Sequence, residues 1–339
     1  MLYNEKLVQE WLEALRKEFS FYPIQIPLKT IYIGGGTPTS LDDDNLESFL
    51  QLLDSYRKDV FEYTIEINPE TLTLLKSEIL VKHGINRVSV GIQAYQDHHL
   101  SFMNRHHRFV DVVNCINLLR SVGIENIAVD IMYSLPNQTM EELIETVDHV
   151  LELKPSHISI NSLLIEEGTV FEKKGIQSLS EDEEANMYEY LIQRFEKEGY
   201  HQYEISNFCL EGKESKHNLA YWQYKDFYGY SCGASGKENH KRYDHTKVVQ
   251  SYLKNPTKRE EIPLTKKDEM FEMLMMSLRL KKGISKDGFQ QQFGVSLDSV
   301  FGEINQKLME EGLIEDDGMY VRCSKKGYPI LNTILEYYI

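Results

Sequence analysis

Residues 30–162 alternate short runs rich in Ile, Val and Thr with longer amphipathic stretches, and no other feature of the chain restricts its fold as much. The short runs are Ile31-Tyr32-Ile33, Thr64-Ile65-Glu66-Ile67-Asn68, Arg87-Val88-Ser89-Val90-Gly91-Ile92-Gln93, residues 126–132 and residues 157–162. Each has the length and β-branched content of a buried strand. Between them, residues 41–53, 71–81, 111–122 and 140–153 have helical spacing, with Leu46, Phe49, Leu50 and Leu53 on one face of the first. Strands joined through helices form right-handed βαβ units, which predicts an α/β chain built on a parallel sheet or barrel.

The first strand runs into Gly34-Gly35-Gly36-Thr37-Pro38-Thr39. Bare backbone at the carboxyl end of a strand lets a polar small molecule approach the peptide groups, although the same run also serves as a tight turn. Glu66, Gln93 and Asp130 fall near the carboxyl ends of three later strands, the end where barrels and open sheets alike carry their ligands. Each has a structural reading: a helix-end partner for Glu66, a turn for Gln93, a buried backbone partner for Asp130. Four equivalent positions on successive strands favour a site.

A helix over residues 2–19 precedes the glycine strand. Residues 199–245 are dense in tyrosine and glycine and read as strands and ordered loops. There His217 stands near Tyr221 and Trp222, either as a ligand to a haem iron between aromatic walls or as a histidine hydrogen-bonded within its loop. Helices over 270–280, 285–293 and 297–311 follow, then a hairpin over 313–321 turning at Asp317-Gly318, an arrangement resembling a winged helix. The helix from Leu297 carries few basic residues, so this segment reads as structural or partner-binding.

A net charge of −16 argues against nucleic acid and anionic membranes as main partners. No apolar run approaches a membrane span, the amino terminus has no signal-peptide core, and the expected location is the cytoplasm. Cys115, Cys209, Cys232 and Cys323 are too scattered for a disulfide framework or a metal-ligand motif.

In order along the chain, the GGGTPT run, Glu66-Ile67-Asn68-Pro69, Ser89-Val90-Gly91-Ile92-Gln93, Arg105-His106-His107, the run from Asp130 to Thr139, Glu166-Glu167-Gly168-Thr169, Tyr203-Glu204-Ile205-Ser206-Asn207 and His217-Asn218-Leu219-Ala220-Tyr221-Trp222 resemble the HemW-type haem chaperones. These are relatives of the oxygen-independent coproporphyrinogen III oxidases in the radical S-adenosylmethionine superfamily, and the resemblance covers nearly the whole chain. It implies an incomplete (β/α) barrel of the radical-SAM type over residues 1–175, a barrel extension over 176–262, and a small helical, winged-helix-like domain over 263–339. It implies that Gly35, Gly36, Thr37 and Glu66 hold the methionine end of S-adenosylmethionine, that Gln93, Arg105 and Asp130 line the same cleft, and that His217 contacts haem. Haem or a porphyrin, and a haem-accepting protein, are the implied partners.

Two departures qualify the resemblance. The family carries a Cys-x-x-x-Cys-x-x-Cys run after its first barrel strand, which would bind a [4Fe–4S] cluster; this chain has no cysteine before Cys115, and that strand is expected to be absent. Ser235 stands where family members often have histidine. The expected function is haem binding and delivery without cluster-dependent chemistry in this chain. The alternatives are a coproporphyrinogen oxidase-like radical enzyme shortened at its amino terminus, and a non-catalytic protein keeping only a partial S-adenosylmethionine cleft.

Overall fold

The computed structural model describes residues 4–165 and 170–339. The Glu166-Glu167-Gly168-Thr169 motif lies outside the described residues, as do the first two residues of the helix expected over 2–19. The chain forms two compact units, one of Pro27–Gln202 with Ser206–Glu214, the other of Asn4–Ile26, Tyr203–Ile205 and Ser215–Ile339.

The chain opens with α1 (Glu5–Phe21), which belongs to the second unit. Then come β1 (Thr30–Ile33), α2 (Asp43–Leu53), β2 (Glu62–Ile67), α3 (Leu74–Lys82), β3 (Arg87–Gln93), α4 (Asp97–Phe102), α5 (Phe109–Ser121), β4 (Ile127–Tyr133), α6 (Met140–Glu152) and β5 (His157–Ser162). They are followed by α7 (Val170–Lys173), α8 (Glu181–Lys197), β6 (His201–Glu204) and β7 (Asn207–Cys209). Strands β1 to β5 pair in parallel and in chain order, and β7 joins β5 antiparallel, giving the sheet order β1-β2-β3-β4-β5-β7-β6. The expected α/β partial barrel is therefore present.

Capping fixes where the helices start. Asp42 accepts from the Asn45 amide at 2.8 Å at the head of α2, and Thr139 with Glu142 forms a reciprocal capping box on α6. The strands separate two chemistries by their period of two. Ile65, Val88, Val90, Val129, Ile131, Ile158 and Ile160 alternate along β2 to β5 and are at most 1% exposed. Each contributes roughly 1.5–3 kcal/mol of burial. The register puts the intervening residues opposite one another: Glu66 with Ser89, Gly91 with Asp130, and Asp130 with Ser159. Lower on the strands the same alternation buries Glu62, Thr64, Arg87, Ser89 and His157. Burial and the neighbouring Arg87 charge hold His157 far below the ordinary imidazole range, so it stays neutral.

The second unit continues with α9 (Lys216–Trp222), β8 (Ser235–Glu238), β9 (Lys241–His245), α10 (Val249–Lys254) and β10 (Arg259–Pro263), the three strands forming an antiparallel sheet. The stretch 199–245 holds the expected strands, but α9 is a helix: Ser215 caps it by accepting from the Asn218 amide at 3.3 Å. Then come α11 (Lys266–Ser277), β11 (Ile284–Ser285), α12 (Lys286–Phe293), α13 (Leu297–Glu310), β12 (Ile314–Asp316), β13 (Tyr320–Cys323) and α14 (Leu331–Glu336). The hairpin turns at Asp317-Gly318, with Asp317 Oδ1 accepting from the amides of Met319 and Tyr320 at 3.0 and 2.8 Å. The winged-helix-like arrangement is thus observed around a core that includes Leu274, Ile284, Phe289, Leu308, Val321 and Ile334.

Within this unit α1 is anchored by a fully buried acid. Glu18 Oε2 accepts from the Tyr252 hydroxyl at 2.5 Å and the Ser231 amide at 3.0 Å, and its Oε1 lies 3.0 Å from His245 Nε2. Burial, opposed by those hydrogen bonds, raises its pKa from the ordinary 4.5 to about 7. A carboxyl whose pKa rises on folding favours the fold while protonated, and that contribution fades as pH climbs from about 4.5 through about 7. The full effect is on the order of 3 kcal/mol. Denaturant midpoints at pH 5 and pH 8 are expected to diverge between wild type and Glu18→Gln, the wild type losing ground at pH 8. Parallel pH dependences would contradict the assignment.

Candidate functional site

The carboxyl-terminal halves of β1, β2, β3 and β4 and the loops beyond them carry the expected positions in a few neighbouring hydrogen-bonded sets. Glu66 ends the polar alternation of β2. Its Oε1 accepts from the Tyr32 hydroxyl at 2.7 Å and its Oε2 from the Gly35 amide at 3.1 Å. This clasp needs a bare residue between its two donors. A Cβ on Gly34 would stand 2.8 Å from the Tyr32 ring and 2.9 Å from the Glu66 carboxyl. Gly35 adopts φ +106°, which favours glycine for a different reason.

Gly36 is needed on neither ground. Its φ is not positive, and a Cβ there would meet nothing within 4 Å. An exposed glycine that packing and backbone do not require leaves clear space over the peptide groups beside it.

Asn68 is the hub of the site. Its Nδ2 donates to Thr37 Oγ1 at 2.9 Å, and its Oδ1 accepts from Arg105 Nη1 at 2.9 Å. The turn after β1, the end of β2 and the Arg105 loop are thereby joined through one amide. Two residues beyond Arg105, buried His107 donates from Nε2 to the Ile92 carbonyl at 3.1 Å and pins that loop to β3.

Gln93 takes φ +69° where the β3–β4 register shifts, and its side chain folds back so that Nε2 would lie 2.9 Å from a Cβ on Gly91. Asn68 Oδ1 is 3.7 Å from that same point, so Gln93 and Asn68 share the space above Gly91. Asp130 accepts from Ser89 Oγ at 3.0 Å. Burial raises its pKa, opposed by hydrogen bonds from Ser89 and Ser159 and reinforced by the Glu66 charge, while Arg87 offsets part of the negative field.

Gly35, Gly36, Thr37, Glu66 and Gln93 thus stand at or just beyond strand ends of the first unit and Arg105 in the loop after α4, whereas Asp130, expected near a carboxyl end, is the fourth of the seven residues of β4. Asn68 and Tyr32 join the strand-end residues, and Ser89 and Ser159 flank Asp130 lower on the sheet, without having been singled out from sequence. Asn68 had a signal: it is the last residue before the Pro69 that closes the strand.

His217 belongs to the second unit, on α9. Tyr221 lies one turn on, its hydroxyl hydrogen-bonded to His217 Nε2 at 2.7 Å, with the rings edge to face at 4.9 Å. Phe227 packs edge-on against Tyr221 at 4.6 Å, and the Arg279 guanidinium lies 4.7 Å over the Trp222 ring. Ser235 is bonded to Asp244.

The four cysteines do not offer the thiolates of a [4Fe–4S] cluster. They lie on α5, on β7, before β8 and on β13, and among the described residues the sets of potential metal ligands hold one cysteine between them. No step through such a cluster is derived from these residues.

Comparison with known proteins identifies the fold and the family. Residues 3–150 match the family model of the Radical SAM superfamily, and residues 264–330 that of the HemN C-terminal domain. Coproporphyrinogen III oxidase HemN of Escherichia coli has a similar fold: the TM-score is 0.83 at 20% identity, over 99% of this chain and 84% of that one. The class is therefore a radical-SAM-type α/β partial barrel followed by a HemN-type carboxyl-terminal domain. Heme chaperone HemW of Lactococcus lactis is 36% identical over 98% of this chain and 90% of its own length, and that of Bacillus subtilis 35% identical over 96% and 90%. The chain belongs to the HemW family.

The two glycines separate packing from clearance. Gly34→Ala is expected to lower stability by about 1–3 kcal/mol through its clash with Glu66 and Tyr32. Gly36→Ala is expected to stay within about 0.5 kcal/mol of wild type. Thermal or denaturant unfolding of the two variants decides it, and equal losses would overturn the distinction.

Proposed function

We propose that this chain is a haem-binding and haem-delivering protein of the HemW kind that holds S-adenosylmethionine at the strand tips of its first unit. The observation that carries the reading is near-full-length similarity to proteins named heme chaperone HemW, at 36% and 35% identity. In it the open backbone at Gly35, Gly36 and Thr37 receives the methionine moiety. Glu66 accepts from the ammonium group, and Arg105, already oriented by Asn68, pairs with the carboxylate. Asp130 and Gln93 face the rest of the molecule, a carboxylate suiting ribose hydroxyls.

These residues bind and orient. S-adenosylmethionine supplies an activated sulfonium, and the four cysteines of this chain offer no cluster to reduce it.

Haem is the cargo in this reading. His217 Nε2 ligates its iron after release from the Tyr221 hydroxyl, and Tyr221, Trp222 and Phe227 supply apolar walls. Burial raises the Tyr221 pKa to about 12, so the phenol remains a neutral neighbour across the physiological range. Four cysteines that form no disulfide fit a reducing compartment, which supports the cytoplasm as the location in this reading. Among the described residues no helix is long and apolar enough to cross a membrane.

Haem titration followed by the Soret band tests the cargo assignment. The wild-type chain is expected to shift and sharpen the band, and His217→Ala to lose that change while its circular dichroism stays native. A shift unaltered by His217→Ala would remove His217 as the ligand, and no shift in the wild type would overturn haem binding itself.

A further inference from the structure

Away from the strand tips, one imidazole nitrogen in the first unit faces two other donor atoms at ligand-to-ligand spacing. His201 on β6 places Nε2 3.4 Å from the Cys209 Sγ on β7 and 3.3 Å from Glu214 Oε1. The turn at Leu210, where the Lys213 amide donates to the Leu210 carbonyl at 3.0 Å, brings Glu214 back to the two strands.

The imidazole nitrogen, the thiol sulfur and the carboxylate oxygen all lie within 4.8 Å of one another, close enough for one metal ion to be held by all three. Tetrahedral coordination with metal–nitrogen and metal–oxygen distances of about 2.0–2.1 Å and metal–sulfur of about 2.3 Å separates N from O by about 3.3 Å and N from S by about 3.6 Å. The observed spacings match within a few tenths of an ångström.

We propose that His201, Cys209 and Glu214 bind a divalent transition-metal ion of the zinc class, with a fourth position open to solvent. One thiolate, one imidazole and one carboxylate suit zinc or cobalt, whereas magnesium and calcium take oxygen ligands. A thiolate and a carboxylate also neutralise the dication, so the site carries no net charge into the protein. The Cys209 side is fully buried while the His201 side chain keeps 45% of its surface exposed, which leaves a route for the ion. On binding, the Cys209 thiol passes its proton to solvent and its sulfur lone pair forms the metal bond; nothing is oxidised or reduced.

Cobalt(II) titration of the intact, reduced chain tests this, because thiolate ligation produces a charge-transfer absorption that nitrogen and oxygen ligands do not. One equivalent of cobalt is expected to give that band, and zinc to abolish it by displacement. Cys209→Ser is expected to remove the band. His201→Ala and Glu214→Gln, both at partly exposed positions that tolerate change, are expected to weaken affinity at least about tenfold, the lower end of what even outer-shell partners cost. His98→Ala, in the separate group formed with His99 and Glu142, is expected to leave the band intact. No thiolate band in the wild type, a band that survives Cys209→Ser, or unchanged affinity in His201→Ala would each overturn the site.

Discussion

Parallel strands that bury apolar side chains on one face and polar ones on the other set the terms for the rest of the first unit. Ile65, Val90, Val129 and Ile158 bind the sheet to its helices, and the residues between them must find polar partners because water is largely excluded. Low on the strands, burial is complete and the polar groups are structural, as with neutral His157 beside Arg87. Toward the carboxyl ends and the loops beyond them the cover thins, and Glu66, Asn68, Gln93, Arg105 and, midway along β4, Asp130 remain partly open. The candidate site is the part of that polar face where pairing is satisfied and access is kept.

The clasp at Glu66 shows how closely packing and function are joined there. One carboxylate ties the tip of β1 to β2 through Tyr32 and Gly35, and it does so only because Gly34 has no side chain. In the proposed function this carboxylate exchanges the Gly35 amide, or shares it, when an ammonium group arrives. Arg105 is held ready by Asn68, so little side-chain freedom is lost when a carboxylate pairs with it.

Much of this was legible in the sequence. The five parallel strands and their helices follow from period-two and period-3.6 spacing, and the glycine run marked the right strand end. Glu66 and Gln93 could be placed near strand ends because position on a strand is a local property, whereas Asp130 stands in the middle of β4. Asn68 was not singled out, because its importance lies in contacts 31 and 37 residues away that no local pattern records. Helix α9 was hidden by its length of seven residues, too short for a periodic signal, although Ser215 with Asn218 three residues on is a cap in plain view. The anchor of α1 was equally invisible: Glu18 lies among surface-type residues in sequence, and its partners Ser231 and Tyr252 follow more than 200 residues later.

The central claim is that these strand tips, organised through Asn68, receive S-adenosylmethionine. Isothermal titration of S-adenosylmethionine into the wild-type chain, Asn68→Ala and Glu66→Gln tests it most directly. The account predicts saturable one-to-one binding by the wild type. Each variant should bind at least about tenfold more weakly, the cost of a lost hydrogen bond to a charged group being about 1.5–3 kcal/mol. Wild-type affinity in both variants, or no binding by a folded wild-type chain, would contradict it.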